Sequence, residues 1–519
     1  MGAVTSPAAL TPGPWASVHS GWPVVAIIGL ALAYVALHLP GLGQESFWTD
    51  ELFSVSQANL ELVAMLKLQA ADNHPPLYAT ALWAWLSLTH DAGEATVRLP
   101  SLLAIAAGMA VLGLVTWRRV GVGPAAIVVT LIATSTLVTS FGAEARMHGL
   151  AFGLMCVATA AWLVLLERPA GSRRLLVVFA AAGGLASLAQ YYALMVFVLE
   201  AGVLGTVLLR AGQRRELGLT IVATTLSVLP VLAWLAVTRR LLNASGTPPL
   251  TMAWADDVAS MSASPFSDAL FGLPVEAHRG VALVIGTGVA AALMLAAGLA
   301  IHRLGPADTR RRLGLGAAAL LVAVVAATIG SVESLLFMPT LHYRSMMGIL
   351  PVLYLALGLA FTAPFGRRAG IAGLTVAVLL AAVVVATPPR ALYDKDDWRG
   401  AAGIIRDTRA AGLAADRIVL VAPWNQREWL VELNNAYARP APVSDPPPQL
   451  AGLRWIAEAP ELASVPADGP LLLVAFHFWR WDAHVAILGA TRERFGPCLD
   501  QSVTGITILR CDGAGAARR

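Results

Sequence analysis

Long apolar runs, each about the length of one bilayer crossing, divide this chain and leave few folds open to it. A span needs roughly 17–25 mostly apolar residues. Such runs fall at 23–40, 99–117, 124–140, 147–166, 174–189, 191–209, 217–237, 281–301, 313–331, 345–363 and 370–387. Charged residues make up only 13% of the chain against 57% hydrophobic, and the mean hydropathy is +0.68; a soluble domain carries about 25% charged residues. In hydrocarbon every backbone polar group needs an internal partner, so these runs are expected to form helices. The expected fold is a polytopic α-helical membrane protein of about eleven spans.

Arginines gather in alternate connections. Arg118-Arg119 come first, then Arg168, Arg173 and Arg174, then Arg210, Arg214 and Arg215. Arg303 and Arg310 to Arg312 follow, and Arg367-Arg368 close the series. Cytoplasmic loops carry the excess of positive charge, and one orientation puts all five clusters inside, with an inside N-terminus and an outside C-terminus. No Lys or Arg precedes the first run, Trp22 to Leu39, so it lacks the basic region of a cleavable signal peptide. It reads as a retained helix after a cytoplasmic tail, residues 1–22. The net charge of +4 comes from loop arginines and is no nucleic-acid signature.

The outer side then receives the loop 41–98, a short loop near Glu144 and Arg146, the loops 238–280 and 332–344, and residues 388–519. Leu52, Val55, Leu62 and Leu66 keep helical spacing with Asn59 interrupting, which predicts an amphipathic helix along the interface. Pro76 to Leu88 is apolar but too short to span, so it reads as interfacial or re-entrant. After the membrane domain, 23–387, the pattern changes. Helices are predicted at Asp397 to Ala411 and Gln426 to Ala436, and strands at Arg417 to Ala422, Pro470 to Phe476 and Val503 to Leu509. A segment of about 130 residues can bury its own core, so 388–519 is expected to form a small extracytoplasmic α/β domain. Cys498 and Cys511 flank its last hairpin. Outside the cell a disulfide would suit them, with two unpaired thiols as the alternative. Cys156 reads as a packed small residue.

The chemistry-bearing residues collect on that outer side. Trp48-Thr49-Asp50-Glu51 follows the first span, then Asp72-Asn73-His74-Pro75-Pro76-Leu77-Tyr78, whose prolines would fix His74. Arg98 opens one span, Glu144-Ala145-Arg146-Met147 another, Tyr191-Tyr192 a third and His342-Tyr343-Arg344 a fourth. Each has a plain structural reading. Acids suit a first helical turn, Asx–Pro runs make turns, arginines snorkel, and tyrosines form interfacial belts. Their gathering at one face points instead to a site. No C-x-x-C, H-E-x-x-H or P-loop pattern occurs, so ATP hydrolysis on this chain is not expected. Two acids and a histidine could hold a divalent cation, although their spacing defines no metal set.

Taken in order, W-x-D-E (Trp48, Asp50, Glu51), D-x-H-P-P-L-Y (Asp72 to Tyr78) and R-L-P-S (Arg98 to Ser101) resemble the motifs of type C (GT-C) membrane glycosyltransferases. E-A-R-M (Glu144 to Met147), Tyr191-Tyr192 and Tyr343-Arg344 extend the likeness. It is to the polyprenyl-phosphate-sugar-dependent branch, with the protein O-mannosyltransferases and the aminoarabinose transferases of lipid A. The resemblance covers about residues 20–390 and leaves the C-terminal segment unmatched. It implies inverting transfer of a sugar from a polyprenyl monophosphate to an envelope glycan, lipid or protein at the outer face of the cell membrane. Mannose is the first choice of sugar and arabinose the second.

Such a transfer requires a base for the acceptor proton, and donors or cations for the charge on the departing phosphate. The resemblance makes Asp50, Glu51 and Asp72 the catalytic candidates. His74, Arg98, Arg146, Tyr343 and Arg344 become candidates for the donor phosphate. Trp48, Tyr78, Tyr191 and Tyr192 become pocket residues. Relatives often carry lysine before the double proline; here it is His74, whose charge depends on pH. Two further readings stay open. A lipid-linked-sugar flippase or transporter would bury charges at mid-membrane on broken helices, and an inactive GT-C-like scaffold would bind without turnover.

Overall fold

The computed structural model describes residues 21–71, 74–167, 173–245, 307–336, 343–386, 395–421, 453–456, 458–476 and 481–513. The apolar run 281–301, the helix expected at 426–436 and Asp72 lie outside the described residues. The first apolar run folds as α1 (Trp22–His38), followed by α2 (Thr49–Ala58), α3 (Leu62–Ala71) and α4 (Pro76–Thr89) in the outer loop. Next come α5 (Glu94–Val120), α6 (Val122–Thr134), α7 (Thr136–Gly142), α8 (Met147–Glu167) and α9 (Arg173–Ala189). The bundle continues with α10 (Tyr191–Arg210), α11 (Arg214–Ser245), α12 (Ala307–Leu336), α13 (Leu350–Thr362) and α14 (Ala369–Ala386).

Seven of the described helices are long and apolar enough to cross a bilayer, or eight if the bent pair α6–α7 is one span. The run 124–140 is not straight. Ser135 leaves the helix and its hydroxyl accepts from the Val138 amide at 3.1 Å, capping α7, and the pair bends by 50°. With α9 only 17 residues long, the expected eleven spans are not reached among the described residues. The membrane character is nonetheless plain, since Val25, Leu32, Leu37, Leu226, Ile371 and Val378 stay exposed on helices with no polar face to cover them. At the centre, α5 and α8 touch almost backbone to backbone. A Cβ on Gly108 would lie 2.8 Å from the Gly153 Cα, the close approach that small residues permit in lipid.

The outer loop forms two helices where one amphipathic helix was expected, α2 ending before Asn59 and α3 beginning at Leu62. Leu52 and Val55 are buried as the pattern implied, but Leu62 and Leu66 are only partly buried and Met65 faces inward instead. The 14-residue α4 is too short to span.

The C-terminal segment is the expected α/β unit. Its first helix, α15 (Trp398–Ala410), starts at Asp397, whose carboxylate accepts from the Gly400 amide at 2.8 Å. Then come β1 (Ile418–Val421), β2 (Arg454–Ile456), β3 (Leu471–Phe476), α16 (Trp481–Phe495), β4 (Cys498–Asp500) and β5 (Ile506–Cys511). Strand order is β2-β1-β3-β5-β4. β1 runs parallel to β2 and β3, whereas β5 is antiparallel to β3 and β4. The reason β1 reads Ile-Val-Leu-Val without alternation is that both faces of the sheet are covered. Val419, Leu473 and Leu509 pack with Ile487 and Phe495 of α16. Ile418, Leu472 and Ile508 share one apolar cluster with Trp398 and Ala401 of α15 and with Phe47, Leu52 and Val55 of the outer loop. The domain therefore sits on the loop that carries the acidic pair.

The sequence reading missed β2, α16 and β4. β2 and β4 are only three residues each, too short for a pattern. Cys498 and Cys511 pair directly across β4 and β5 and are bonded, which decides between the two readings left open. Closing a loop of this length, 13 residues apart in sequence, is worth about 3 kcal/mol in the chain-entropy account. Cys498→Ser with Cys511→Ser should therefore lower the urea midpoint of the domain's unfolding in the full-length protein; an unchanged midpoint would contradict a stabilising bond.

Candidate active site

Asp50 and Glu51 are adjacent in sequence but point to different partners, because successive residues on a helix lie about 100° apart. Both stand in the first turn of α2, where the Trp48 amide donates to Glu51 Oε2 at 3.4 Å.

Glu51 is fully buried and held from every side. Its Oε1 accepts from Arg98 Nε at 2.7 Å and from the Ala145 amide at 2.8 Å, and its Oε2 from Arg98 Nη2 at 2.5 Å. The remaining Arg98 donors reach the carbonyls of Leu42 (2.6 Å), Glu45 (2.9 Å) and Ser46 (2.9 Å). A guanidinium has five N–H donors, and all five are taken. Burial pushes the Glu51 carboxyl up, but the Arg98 charge and hydrogen bonds, helped by Lys395 and the Ala145 amide, hold it below the usual carboxylate range. In this arrangement all five Arg98 donors are engaged, and Glu51 ties α2, α5 and the turn before α8 together.

Asp50 faces the opposite way. Its Oδ2 lies 2.6 Å from Arg344 Nη1 and 3.7 Å from Arg146 Nη2. About a fifth of the Asp50 and Arg344 side chains is exposed, so this pair is reachable where the Glu51 pair is not. The Arg344 guanidinium also lies 4.9 Å from the centre of the Trp48 ring, a cation–π distance. Arg146 is steered by the Asp50 carbonyl (3.3 Å), the Ser54 hydroxyl (3.2 Å) and His74 Nε2 (3.3 Å). Arginine can only donate, so His74 Nε2 accepts. The ring thus offers Arg146 a lone pair, not a positive charge to a phosphate. Trp234 of α11 fixes the His74 backbone, donating to its carbonyl at 2.8 Å. In this structure His74 therefore lies against Arg146.

The other expected residues fall around this core. Tyr343 heads the 3-10 turn Tyr343–Ile349 that presents Arg344, although its side chain is outside the described set. Tyr191 is half-buried at the start of α10, and the Tyr192 hydroxyl donates to Glu333 at 3.3 Å. Tyr78 is buried, and burial holds its hydroxyl well above the usual range. With Ser54, Gln57, Gln69, His74 and Arg146 it lines a small cavity of about 10 Å³, room for one water. Among the described residues no three His, Cys, Asp or Glu side chains come together as a metal site.

Gln190 and Lys395 were missed, and Glu144 was noted without its partner. Gln190 spans the bundle, donating to the Arg344 carbonyl at 3.2 Å and lying 3.1 Å from His148 Nδ1; its place beside Tyr191-Tyr192 was the available signal. Glu144, noted only for its motif, is almost completely buried. Burial pushes its carboxyl up to about 7, against the opposing pull of Lys395. Lys395 comes from the C-terminal segment and reaches Glu144 at 3.4 Å and Glu45 at 3.2 Å. Its signal was rarity, since Lys67 is the only other lysine in an arginine-using chain.

Every part of this constellation lies at one end of the helices, at or just before the starts of α2, α5, α8, α10 and α13. Arg118-Arg119, Arg210, Arg214-Arg215 and Arg310 to Arg312 mark the other end. Fold and site together define a multi-pass membrane protein with a carboxylate–arginine cluster at one end of its helix bundle.

No protein-family model and no curated protein matches the sequence. Among solved structures the chain is similar to ArnT from Cupriavidus metallidurans in the apo state, at 14% identity and a TM-score of 0.44, covering 94% of this chain and 98% of that one. It is similar to the Archaeoglobus fulgidus oligosaccharyltransferase in complex with Zn and sulfate, at 12% identity and a TM-score of 0.46, covering 94% and 72%. It is also similar to the arabinofuranosyltransferase AftD from Mycobacteria, at 17% identity and a TM-score of 0.44, covering 96% of this chain and 40% of that one. At such distances the functional reading rests on this chain's own residues.

Proposed function

We propose that this protein is a GT-C-like glycosyltransferase that moves a sugar from a polyprenyl monophosphate to a hydroxyl-bearing envelope glycan, lipid or protein at the outer face of the cell membrane. The observation that carries it is the Asp50 carboxylate, about a fifth exposed and held between Arg344 and Arg146, beside Trp48 and at one end of the bundle. A carboxylate there would serve as a base, and two guanidiniums match phosphate oxygens. The motif order, from Trp48-x-Asp50-Glu51 to Tyr343-Arg344, supports the same reading. Mannose remains the first sugar and arabinose the second. The cytoplasmic arginine clusters support an outward-facing site and C-terminal domain.

In this mechanism the acceptor oxygen attacks the anomeric carbon from the face opposite the phosphate, so the configuration inverts. Its proton passes to an Asp50 oxygen. The bond from the anomeric carbon to the phosphate oxygen breaks, and its electron pair stays on the polyprenyl phosphate. Arg344 and Arg146 stabilise the charge that grows there. A phosphate held by Arg344 shares the guanidinium with Asp50, which loosens the ion pair and makes the carboxylate a better base. Glu51 and Arg98 keep the loop in place, and His74 keeps Arg146 turned inward.

Full-length protein given radiolabelled polyprenyl-phosphate mannose, or the arabinose equivalent, and an envelope extract is expected to label an acceptor. Arg344→Ala should weaken donor binding before it slows chemistry. Hydrogen bonds to charged groups are worth roughly 1.5–3 kcal/mol, so the donor KM should rise about 10–100-fold. An unchanged KM would remove Arg344 from the phosphate site.

One observation favours a transporter instead. Glu200 is a fully buried acid midway along α10, accepting from Thr159 Oγ1 at 2.7 Å, and intramembrane acids often mark a transport path. Liposomes that translocate the lipid-linked sugar but never label an acceptor would establish that reading and overturn the enzyme.

A further inference from the structure

We propose that Lys395 is a positioning residue for this site: the C-terminal domain inserts an ammonium between Glu144 and Glu45 and thereby favours the ionised form of Glu144 beside Asp50, so that the domain completes the site. The inference rests on the transferase reading for its activity readout and on geometry for its substance. Lys395 lies 3.4 Å from Glu144 Oε1 and 3.2 Å from Glu45 Oε2. Its side chain is 18% exposed and that of Glu144 only 1%, so solvent does little to screen the contact.

The segment around Lys395 is pinned to the outer loop. The Arg399 amide donates to the Ser46 hydroxyl at 3.0 Å, and its guanidinium reaches Glu94 at 2.6 Å and the Gly43 carbonyl at 3.1 Å. Trp398 and Ala401 bury themselves with Phe47 and Leu52. An ammonium held this way is part of a docked interface and is not a long side chain that happens to fall near an acid.

The charged groups facing Glu144 are Lys395, Glu51, Arg344 and Asp50. Those facing Lys395 are Glu144, Glu51, Arg98 and Glu45. Burial favours the neutral Glu144 and raises its carboxyl to about 7, and Lys395 is the largest group pulling it back. Burial also works against the Lys395 ammonium, but Glu144 and Glu51 outweigh it and raise Lys395 above its ordinary value. With Lys395 in place Glu144 is about half ionised at neutral pH; removing the ammonium moves its titration higher and leaves it mostly protonated there. A neutral Glu144 no longer competes for Arg344, so Arg344 draws harder on Asp50 and the base weakens. Transfer should then return only at a pH high enough to ionise Glu144 again.

The test compares wild type, Lys395→Met, Lys395→Arg and Glu144→Gln as full-length protein. Carboxyl bands are followed by infrared titration, and transfer from radiolabelled polyprenyl-phosphate mannose and arabinose is measured across pH. In wild type, a carboxyl band absent from Glu144→Gln is expected to titrate near pH 7, with an acid limb of transfer at the same pH. Lys395→Met should move both to higher pH and cut transfer at pH 7 by about tenfold or more, the scale expected on losing an opposite charge within ~4–6 Å. Lys395→Arg should restore both, and Glu144→Gln should abolish the limb. A rate loss in Lys395→Met that is equal at every pH, or a Glu144 band that does not move, overturns the inference while leaving the transferase reading intact. If wild type labels no acceptor, the transferase reading fails, and the infrared titration still decides whether Lys395 sets the charge of Glu144.

Discussion

Asp50→Asn is expected to cut sugar transfer by about 10²–10⁴-fold, the usual contribution of a positioned general base, with donor-lipid binding almost unchanged. Asparagine keeps the shape of the side chain beside Arg344, whose Nη1 lies 2.6 Å from the Asp50 carboxylate in the wild type. It cannot take the acceptor proton. Binding should persist because the phosphate is assigned to Arg344 and Arg146. The comparison needs initial rates with radiolabelled donor and a separate binding titration for each variant. If Asp50→Asn turned over at the wild-type rate, Asp50 would be no base and the mechanism would have to be abandoned. Glu51→Gln makes the sharper control. It alters the neighbouring carboxylate, yet Glu51 is sealed behind Arg98, so the change should act on stability rather than on the chemical step.

The second large effect is structural. Arg98→Met is expected to destabilise the protein by about 3–5 kcal/mol, the cost of leaving one partner of a buried pair uncompensated. The loss is larger than the ion pair alone suggests, because Arg98 also satisfies the carbonyls of Leu42, Glu45 and Ser46. Those carbonyls are the last steps of the chain before α2, so the loop that aims Asp50 should loosen with them. The detergent-solubilised variant should unfold at markedly lower temperature and become protease-sensitive within 41–98. Equal stability with lost donor binding would instead return Arg98 to the phosphate site. Arg98 and Arg344 thus give opposite signatures, stability for one and donor affinity for the other.

Much of the site could be listed from the sequence as residues standing at one face. Trp48, Asp50, Arg146 and Arg344 do converge. The sequence could not tell which arginine belonged to which carboxylate, since Arg98 and Arg344 are chemically identical until their neighbours are known. Arg98 pairs with the sealed Glu51 carboxylate and three backbone carbonyls, whereas Arg344 pairs with the partly exposed Asp50. His74 shows the same limit. Its place where relatives carry lysine suggested a phosphate ligand, and only the structure shows that its neighbour is Arg146. Lys395 lay outside the motif-bearing region altogether, in a domain whose docking no local pattern announces.

The sequence by itself determined where helices form, because burying a backbone in lipid demands internal hydrogen bonds over a fixed length, and that demand is local. The alternating arginine clusters made one set of helix ends the expected outer face, and period and proline content outlined most of the C-terminal strands. Only the tertiary structure decided the bend at Ser135, the covering of the sheet on both faces, and which arginine meets Glu51 and which meets Asp50. These depend on which distant surfaces meet. Charge in a low-dielectric interior is settled by the nearest partner, and that partner is chosen by packing between helices far apart in the chain.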